Sequence, residues 1–356
     1  MLTSIKQIFY KNKIEYDFIK KSYLMGLFYY KKNLINYNKS LRIFGLPILS
    51  SKIKLGYEKF YILGIIYFKK TTRNLLYNVI NQHVPERYKN IYIHFNCSGE
   101  TYLFLSYIKP TEDSIFVATK KYHIDLCKML HPNIECIYLP NILNLRAFDN
   151  VYKENYKNKN FYNVLPFDHF RILEEKIKKG LEVHYCKEIC KTIGVEYSTK
   201  ALLPFISEDI KKSALNKANR IGLNLDNFIF LCPESQSNED PPGGFWINLV
   251  DDLYNSGYDV FLNVLNQNPK FGTAKSCYLT FAEAYYIASL SKKIIGLRSG
   301  FIEPLSSIKN VLITCYYTDF KDRGLLKPLS AEQVLNGFSL KALPNINKDL
   351  IKEELL

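Results

Sequence analysis

The feature that most constrains this chain is a rhythm that begins near residue 90, where short apolar runs alternate with helix-length segments. Ile91 to Phe95 reads as a buried strand, Cys97 to Glu100 as a turn, and Thr101 to Ile108 as a helix. Strand Ser114 to Ala118, helix Tyr122 to Leu130 and strand Ile134 to Leu139 complete a βαβαβ unit. A strand with one wet face would alternate polar and apolar residues, so continuous apolar runs fit parallel strands covered on both faces.

A second set of the same kind follows a link at about residues 196 to 210. Phe228 to Cys232 reads as a strand, Phe245 to Asn255 as a helix stopped by Gly257, and Tyr258 to Leu265 as the next strand. Helix Phe281 to Ser291, strand Lys293 to Leu297, a short helix from Glu303 and strand Val311 to Tyr316 continue the series. Between the sets, residues 145 to 165 are rich in Asn, Lys and Tyr and read as a long loop. Helices Phe170 to Lys179 and Tyr185 to Ile193 then end at Gly180 and Gly194. The expected fold class is α/β, with two Rossmann-like domains over residues 89–205 and 206–356 facing a cleft. In open sheets of this kind ligands bind at the carboxyl ends of the strands.

Ahead of this body lies a basic, aromatic appendage over residues 1–88. Of the 48 Lys and Arg and 34 Asp and Glu in the chain, residues 1–89 hold 17 and 4, a net +13 that leaves only +1 for the remainder. A polyanion-binding catalytic groove would colour the body; a basic appendage instead suits an anionic membrane surface, where each Lys or Arg contributes about 1 kcal/mol. Residues 1 to 40 read as an amphipathic helix with Ile5, Ile8, Phe9, Phe18 and Ile19 on one face, and the segments around residues 44–54 and 63–70 as two short β arms ending in lysines. A nucleic-acid partner is not expected. No apolar run reaches the roughly 18 to 20 residues needed to cross a bilayer. The eight cysteines show no CxxC and no framework spacing in a chain without a signal peptide, which points to reduced thiols and a cytoplasmic, peripheral location. His184, Cys186 and Cys190 lack the second ligand cluster of a closed zinc site, and no metal or other cofactor is expected.

The chemistry is expected where strand Ile294-Ile295-Gly296-Leu297 runs into Arg298-Ser299-Gly300 and a helix near Ile302. Free backbone N–H groups there lie beside a guanidinium that can pair two oxygens, which suits a phosphate group. Upstream, Thr280 and Glu283 have the spacing of a capping box. The chain lacks GxxxxGK[ST], GxGxxG and GxSxG, and carries no Asp-x-Asp after an apolar strand, so P-loop, simple dinucleotide, serine-hydrolase and metal-dependent transferase readings are set aside.

The order of a strand followed by Cys232-Pro233-Glu234-Ser235, a Gly-ended helix, a second strand, a capped Ala-rich helix and strand-Arg-Ser-Gly-helix resembles the donor half of type B glycosyltransferases. It looks most like the lipopolysaccharide heptosyltransferase group and related bacterial surface-polysaccharide transferases. The resemblance implies donor-side roles for Ser235, Ser237, Glu283, Arg298, Ser299 and Gly300, with Arg298 standing where that group has Asp. It also implies that Gly99-Glu100 takes the place of the group's Gly-Asp, making Glu100 the base toward an acceptor hydroxyl, with His123 and His169 as weaker acceptor-side candidates. The implied activity is inverting, metal-independent transfer from a nucleotide sugar to a glycan or lipid-linked acceptor. Transfer of another activated group, such as a phospho-substituent, and a non-catalytic glycan- or membrane-binding protein remain as alternatives.

Overall fold

The computed structural model describes strand segments between residues 12 and 71, residues 73–95, 97–145, 153–163, 202–235, 244–264, 271–297, 299–309 and 311–317, and short pieces at 175–196, 326–327 and 338–342. The chain divides into two compact units: residues 1–95, 117–119 and 137–168, and residues 96–116, 120–136 and 169–356.

The first unit opens with seven strands, β1 (Asn12–Tyr16), β2 (Ile19–Leu24), β3 (Phe28–Asn33), β4 (Lys39–Ile43), β5 (Leu46–Lys54), β6 (Tyr57–Ile62) and β7 (Ile65–Thr71). They form one antiparallel meander in chain order. From Asn12 onward these strands replace the helix expected over residues 1 to 40; residues 1–11, with Ile5, Ile8 and Phe9, and Phe18 lie outside the described residues. The physical reason is composition and spacing together. Tyr, Phe and Ile favour a pleated surface, and β2 and β3 follow each other in the sequence at hairpin spacing. The β arms expected near residues 44–54 and 63–70 are present as β5 and β7.

Helix α1 (Arg73–Asn81) buries Leu76, Tyr77 and Ile80. A five-stranded sheet follows, built from β8 (Asn90–His94), β9 (Ser114–Ala118), β10 (Glu135–Tyr138), β11 (Lys153–Tyr156) and β12 (Lys159–Asn163) in the order β10-β9-β8-β12-β11. The expected loop over residues 145 to 165 is therefore a hairpin, and β12 extends the sheet by pairing parallel to β8. Its two-residue turn places Lys157 at φ 53° and Asn158 at φ 62°, the left-handed pair whose twist suits adjoining strands. Tyr77 anchors the hairpin: its ring centroid lies 4.3 Å from that of Phe161, and its hydroxyl donates to Glu154 Oε2 at 3.0 Å.

The second unit carries α2 (Ser98–Tyr107) and α3 (Lys121–Leu130), which pack on each other. Further along are the brief parallel pair β13 (Val183–His184) and β19 (Leu326–Lys327), and helix α4 (Glu208–Arg220), started by Ser207 as its side-chain cap. The main element is a six-stranded sheet of β14 (Phe228–Cys232), β15 (Asp259–Asn263), β16 (Lys275–Cys277), β17 (Lys293–Leu297), β18 (Leu312–Tyr317) and β20 (Phe338–Ala342). Its order is β16-β15-β14-β17-β18-β20 and every pairing is parallel. Helices α5 (Phe245–Asn255) and α6 (Phe281–Leu290) and the single turn α7 (Ile302–Leu305) complete it.

Phe230 and Phe261 are wholly buried with Ala284, Ile287 and Ile294 in one cluster; Leu231, Trp246, Val250 and Ile295 form another. Neighbouring residues of one strand thus enter different clusters, as sequence runs buried on both faces require, and each large side chain so buried stabilises the fold by about 1.5–3 kcal/mol. Gly296 belongs to this packing: opposite Cys232 in the ladder, an added Cβ would fall 2.7 Å from the Cys232 Cβ and carbonyl oxygen. The chain is thus an α/β protein with a wholly parallel sheet.

Candidate functional site

After β17 ends at Leu297, the chain passes through Ser299 and Gly300 into α7. The expected helix end here is a single turn whose N-cap residue, Phe301, is itself helical (φ −80°, ψ −29°) and gives no side-chain cap. Four residues bring little dipole of their own, and Glu303 in that turn is only 4% exposed. The Ser299 hydroxyl oxygen is buried without a hydrogen-bond partner among the described residues. Burying a hydroxyl in this way costs roughly 1–3 kcal/mol unless a ligand or water supplies the partner.

Against this turn sits the start of α2. Cys97 is its N-cap in extended geometry (φ −80°, ψ 175°), without a side-chain cap, and Glu100 occupies the first turn. A Cβ added to Gly300 would lie 2.5 Å from Ser98 Oγ and 2.8 Å from Gly99 N; one added to Gly99 would lie 2.9 Å from Glu303 Cγ and 3.0 Å from Gly300 Cα. Glycine at both positions lets two backbones touch, so Gly99 and Gly300, distant in sequence, form one locus. Helix α2 packs along α7, and α3 along α6.

Charged and aromatic groups surround this locus. Lys120, at the N-cap of α3, holds its Nζ 5.4 Å from the Tyr122 ring centroid. Burial pushes the Tyr122 phenol up against the pull of Lys120. Desolvation and then the Glu100 carboxylate push the Cys97 thiol up, while Lys120 draws it down. Glu100, Lys120, Cys97 and Tyr122 therefore share one electrostatic neighbourhood. Tyr122 continues into Phe281 (5.7 Å between centroids), and Phe281 meets Phe301 edge-on at 5.0 Å. The Phe281 backbone also bonds the Asp125 carboxylate, whose proton affinity is raised by burial despite that bond.

Glu283 makes the expected capping box with Thr280: the Thr280 hydroxyl accepts from Glu283 N at 3.4 Å, and Glu283 Oε2 accepts from Thr280 N at 2.8 Å. The carboxylate also accepts from Ser213 Oγ and Lys217 Nζ of α4, each at 2.6 Å. Burial alone would raise this carboxyl, but the bonds from Lys217, Ser213 and Thr280 together hold it below the ordinary carboxylate range. In the described structure Glu283 fastens α6 to α4. Ahead of α6, Asn263 at the end of β15 clamps the loop by donating to Leu279 O and accepting from Leu279 N, at 3.1 and 2.8 Å.

The remaining sequence candidates fall variously. Ser235 is partly exposed just beyond the carboxyl end of β14. His123 is wholly buried with its ring edge-on to Tyr122 at 4.8 Å, so it offers no surface to an acceptor in this conformation. Ser237, Arg298 and His169 lie outside the described residues. Sequence reasoning passed over Lys120 and Tyr122, although their position just past the carboxyl end of β9 was the available signal. Among the described residues, no group of three His, Cys, Asp or Glu side chains is disposed to hold a metal ion, and no helix is long and apolar enough to cross a membrane.

No family model and no curated relative matches the chain. Among solved structures it is similar to a glycosyl transferase family 9 protein from Veillonella parvula, at 15% identity over 75% of this chain and 89% of the other, with a TM-score of 0.46. It is also similar to the E. coli ADP-heptose lps heptosyltransferase II (11% identity, 75% and 97% covered, TM-score 0.42) and to an E. coli heptosyltransferase with ADP (10% identity, 75% and 96% covered, TM-score 0.43). Likeness at this level assigns neither activity nor substrate.

Proposed function

We propose that the chain is a glycosyltransferase that moves a sugar from a nucleotide-sugar donor to a glycan or lipid-linked acceptor in bacterial surface-polysaccharide synthesis, at an anionic membrane face. The observation that carries this reading is the backbone contact of Gly99 with Gly300. It brings a helix start bearing a carboxylate, Glu100, against a strand-end turn with an unpartnered buried hydroxyl, Ser299.

In this reading the donor diphosphate lies along Ser299 and Gly300, with Arg298 supplying the positive charge and Ser235 a further hydroxyl. Glu100 takes the proton of the acceptor hydroxyl as that oxygen attacks the anomeric carbon. The bond from that carbon to the diphosphate breaks with inversion, and the charge left on the diphosphate is stabilised by the guanidinium and backbone donors. Lys120 lies in the same electrostatic neighbourhood as Glu100, since both act on Cys97 and Tyr122. The absence of a metal requirement belongs to the same reading.

The test is a thermal-shift panel of nucleoside diphosphates and nucleotide sugars on the wild type and on Arg298→Ala. A nucleotide that raises the wild-type Tm and shifts the variant much less supports the donor site. If no nucleotide moves the wild type, the reading fails.

A further inference from the structure

The β6–β7 hairpin carries an apolar tip of a kind turns rarely have. Leu49, Ile62 and Ile65 are directly opposed across β5, β6 and β7 and are 45%, 40% and 75% exposed; Leu63, in the turn, is 68% exposed. Leu63 sits at φ 48°, in the left-handed region, and donates its N–H to Ile48 O at 2.9 Å. Gly, Asn and Asp are the residues that usually occupy such a position. A leucine there is strained and exposed, which folding alone does not explain.

Three residues further from the tip along β5 and β6, and four along β7, a second row crosses the same strands: Lys52 opposes Lys59, which opposes Lys69. Like charges directly opposed destabilise a sheet. Residues 39–71 contain seven Lys and Arg and a single acid, Glu58, whose side chain is 3% exposed. Lys52 is exposed and leans over Tyr61, 5.5 Å from its ring centroid. At about 3.3 Å per residue the lysine row lies roughly 10 Å behind the apolar row. That separation matches the depth between the acyl boundary and the headgroups of a bilayer, where apolar groups enter by roughly 5–10 Å.

We infer that the β6–β7 hairpin is an end-on membrane wedge: Leu49, Ile62, Leu63 and Ile65 enter the interface of an anionic bilayer, and Lys52 and Lys59 engage its headgroups. This deepens the membrane part of the proposed function by naming the surface, and it needs neither donor nor acceptor. Its failure would therefore leave the transferase reading standing.

The test is co-sedimentation of the full chain with vesicles in which about a third of the lipid is phosphatidylglycerol, compared with phosphatidylcholine alone. Leu63→Asn with Ile65→Thr keeps turn and strand preferences while removing the apolar tip, and Lys52→Gln with Lys59→Gln removes charge. The wild type is expected to bind the anionic vesicles, and each double variant to lose about tenfold in partitioning. Circular dichroism of the variants should match the wild type. The proposal is overturned if the wild type does not sediment, if both variants bind as the wild type does, or if binding follows oligonucleotide or a second copy of the chain in place of lipid.

Discussion

A Cβ on Gly300 would lie 2.8 Å from the backbone nitrogen of Gly99, so the turn after β17 and the start of α2 are in contact where neither can carry a side chain. Gly300 is not in the left-handed region; contact alone excludes a larger residue. Gly300→Ala is expected to push the two backbones apart at a cost of about 1–3 kcal/mol in urea unfolding. Adding Ser98→Ala removes only the hydroxyl clash, so the double variant should recover little of that loss.

Glu283 gives a prediction in pH. Its carboxyl is held low by Lys217, Ser213 and Thr280, whereas in the unfolded chain it titrates at about 4.3. A depressed carboxylate contributes stability that is full above the unfolded value and is lost as pH falls through the folded one. Glu283→Gln should therefore be less stable than wild type at pH 7, by about 2 kcal/mol, and the gap should narrow steadily below pH 5. A constant gap across that range would contradict the assignment.

Cys97 reports on Glu100. The thiol is exposed and is raised in part by that carboxylate, and the thiolate is the reactive form. Glu100→Gln should speed alkylation of Cys97 near pH 8, whereas Lys120→Met should slow it, as followed residue by residue in peptide mass spectra. A nucleotide sugar bound at Ser299 and Gly300 should protect Cys97 in the wild type.

The β11–β12 turn predicts a stabilising change. Lys157 and Asn158 both have positive φ, a conformation that costs an ordinary L-residue about 1–2 kcal/mol. Asn158→Gly should raise stability by a few tenths of a kcal/mol, and Asn158→Val should lower it by about 1 kcal/mol or more, in thermal or urea unfolding.

Strands buried on both faces were the most legible part of the sequence. Phe228–Cys232 and Ile294–Leu297 are continuous runs without a polar side chain, and they form strands over Phe228–Cys232 and Lys293–Leu297. The N-terminal sheet is not legible, because lysines interrupt the alternation of its sequence: Lys21 follows Lys20 within β2, and Lys32 follows Lys31 within β3. Read for helical spacing, the same residues gave an imperfect amphipathic stripe, although Tyr, Phe and Ile argued for strand. Only the first residues of helix α4 fall in the link read at about residues 196 to 210, and the rest has no expected element, even though Ser207, Glu208 and Asp209 mark its start and Gly222 follows its end. The capping box at Thr280 was legible because it is local. The meeting of Gly99 with Gly300 was not, since no short-range pattern encodes a contact between segments so far apart in the chain.

The central claim is that a nucleotide sugar binds beside Ser299 and Gly300 and that Glu100 acts on the acceptor. Calorimetric titration of the donor identified by thermal shift, on wild type, Arg298→Ala and Glu100→Gln, tests it most directly. The expected result is binding to the wild type, affinity within about threefold in Glu100→Gln, and a loss of about tenfold or more in Arg298→Ala, as for removal of a charged phosphate contact. Equal affinity in wild type and Arg298→Ala, or no binding of any nucleotide sugar, would contradict it.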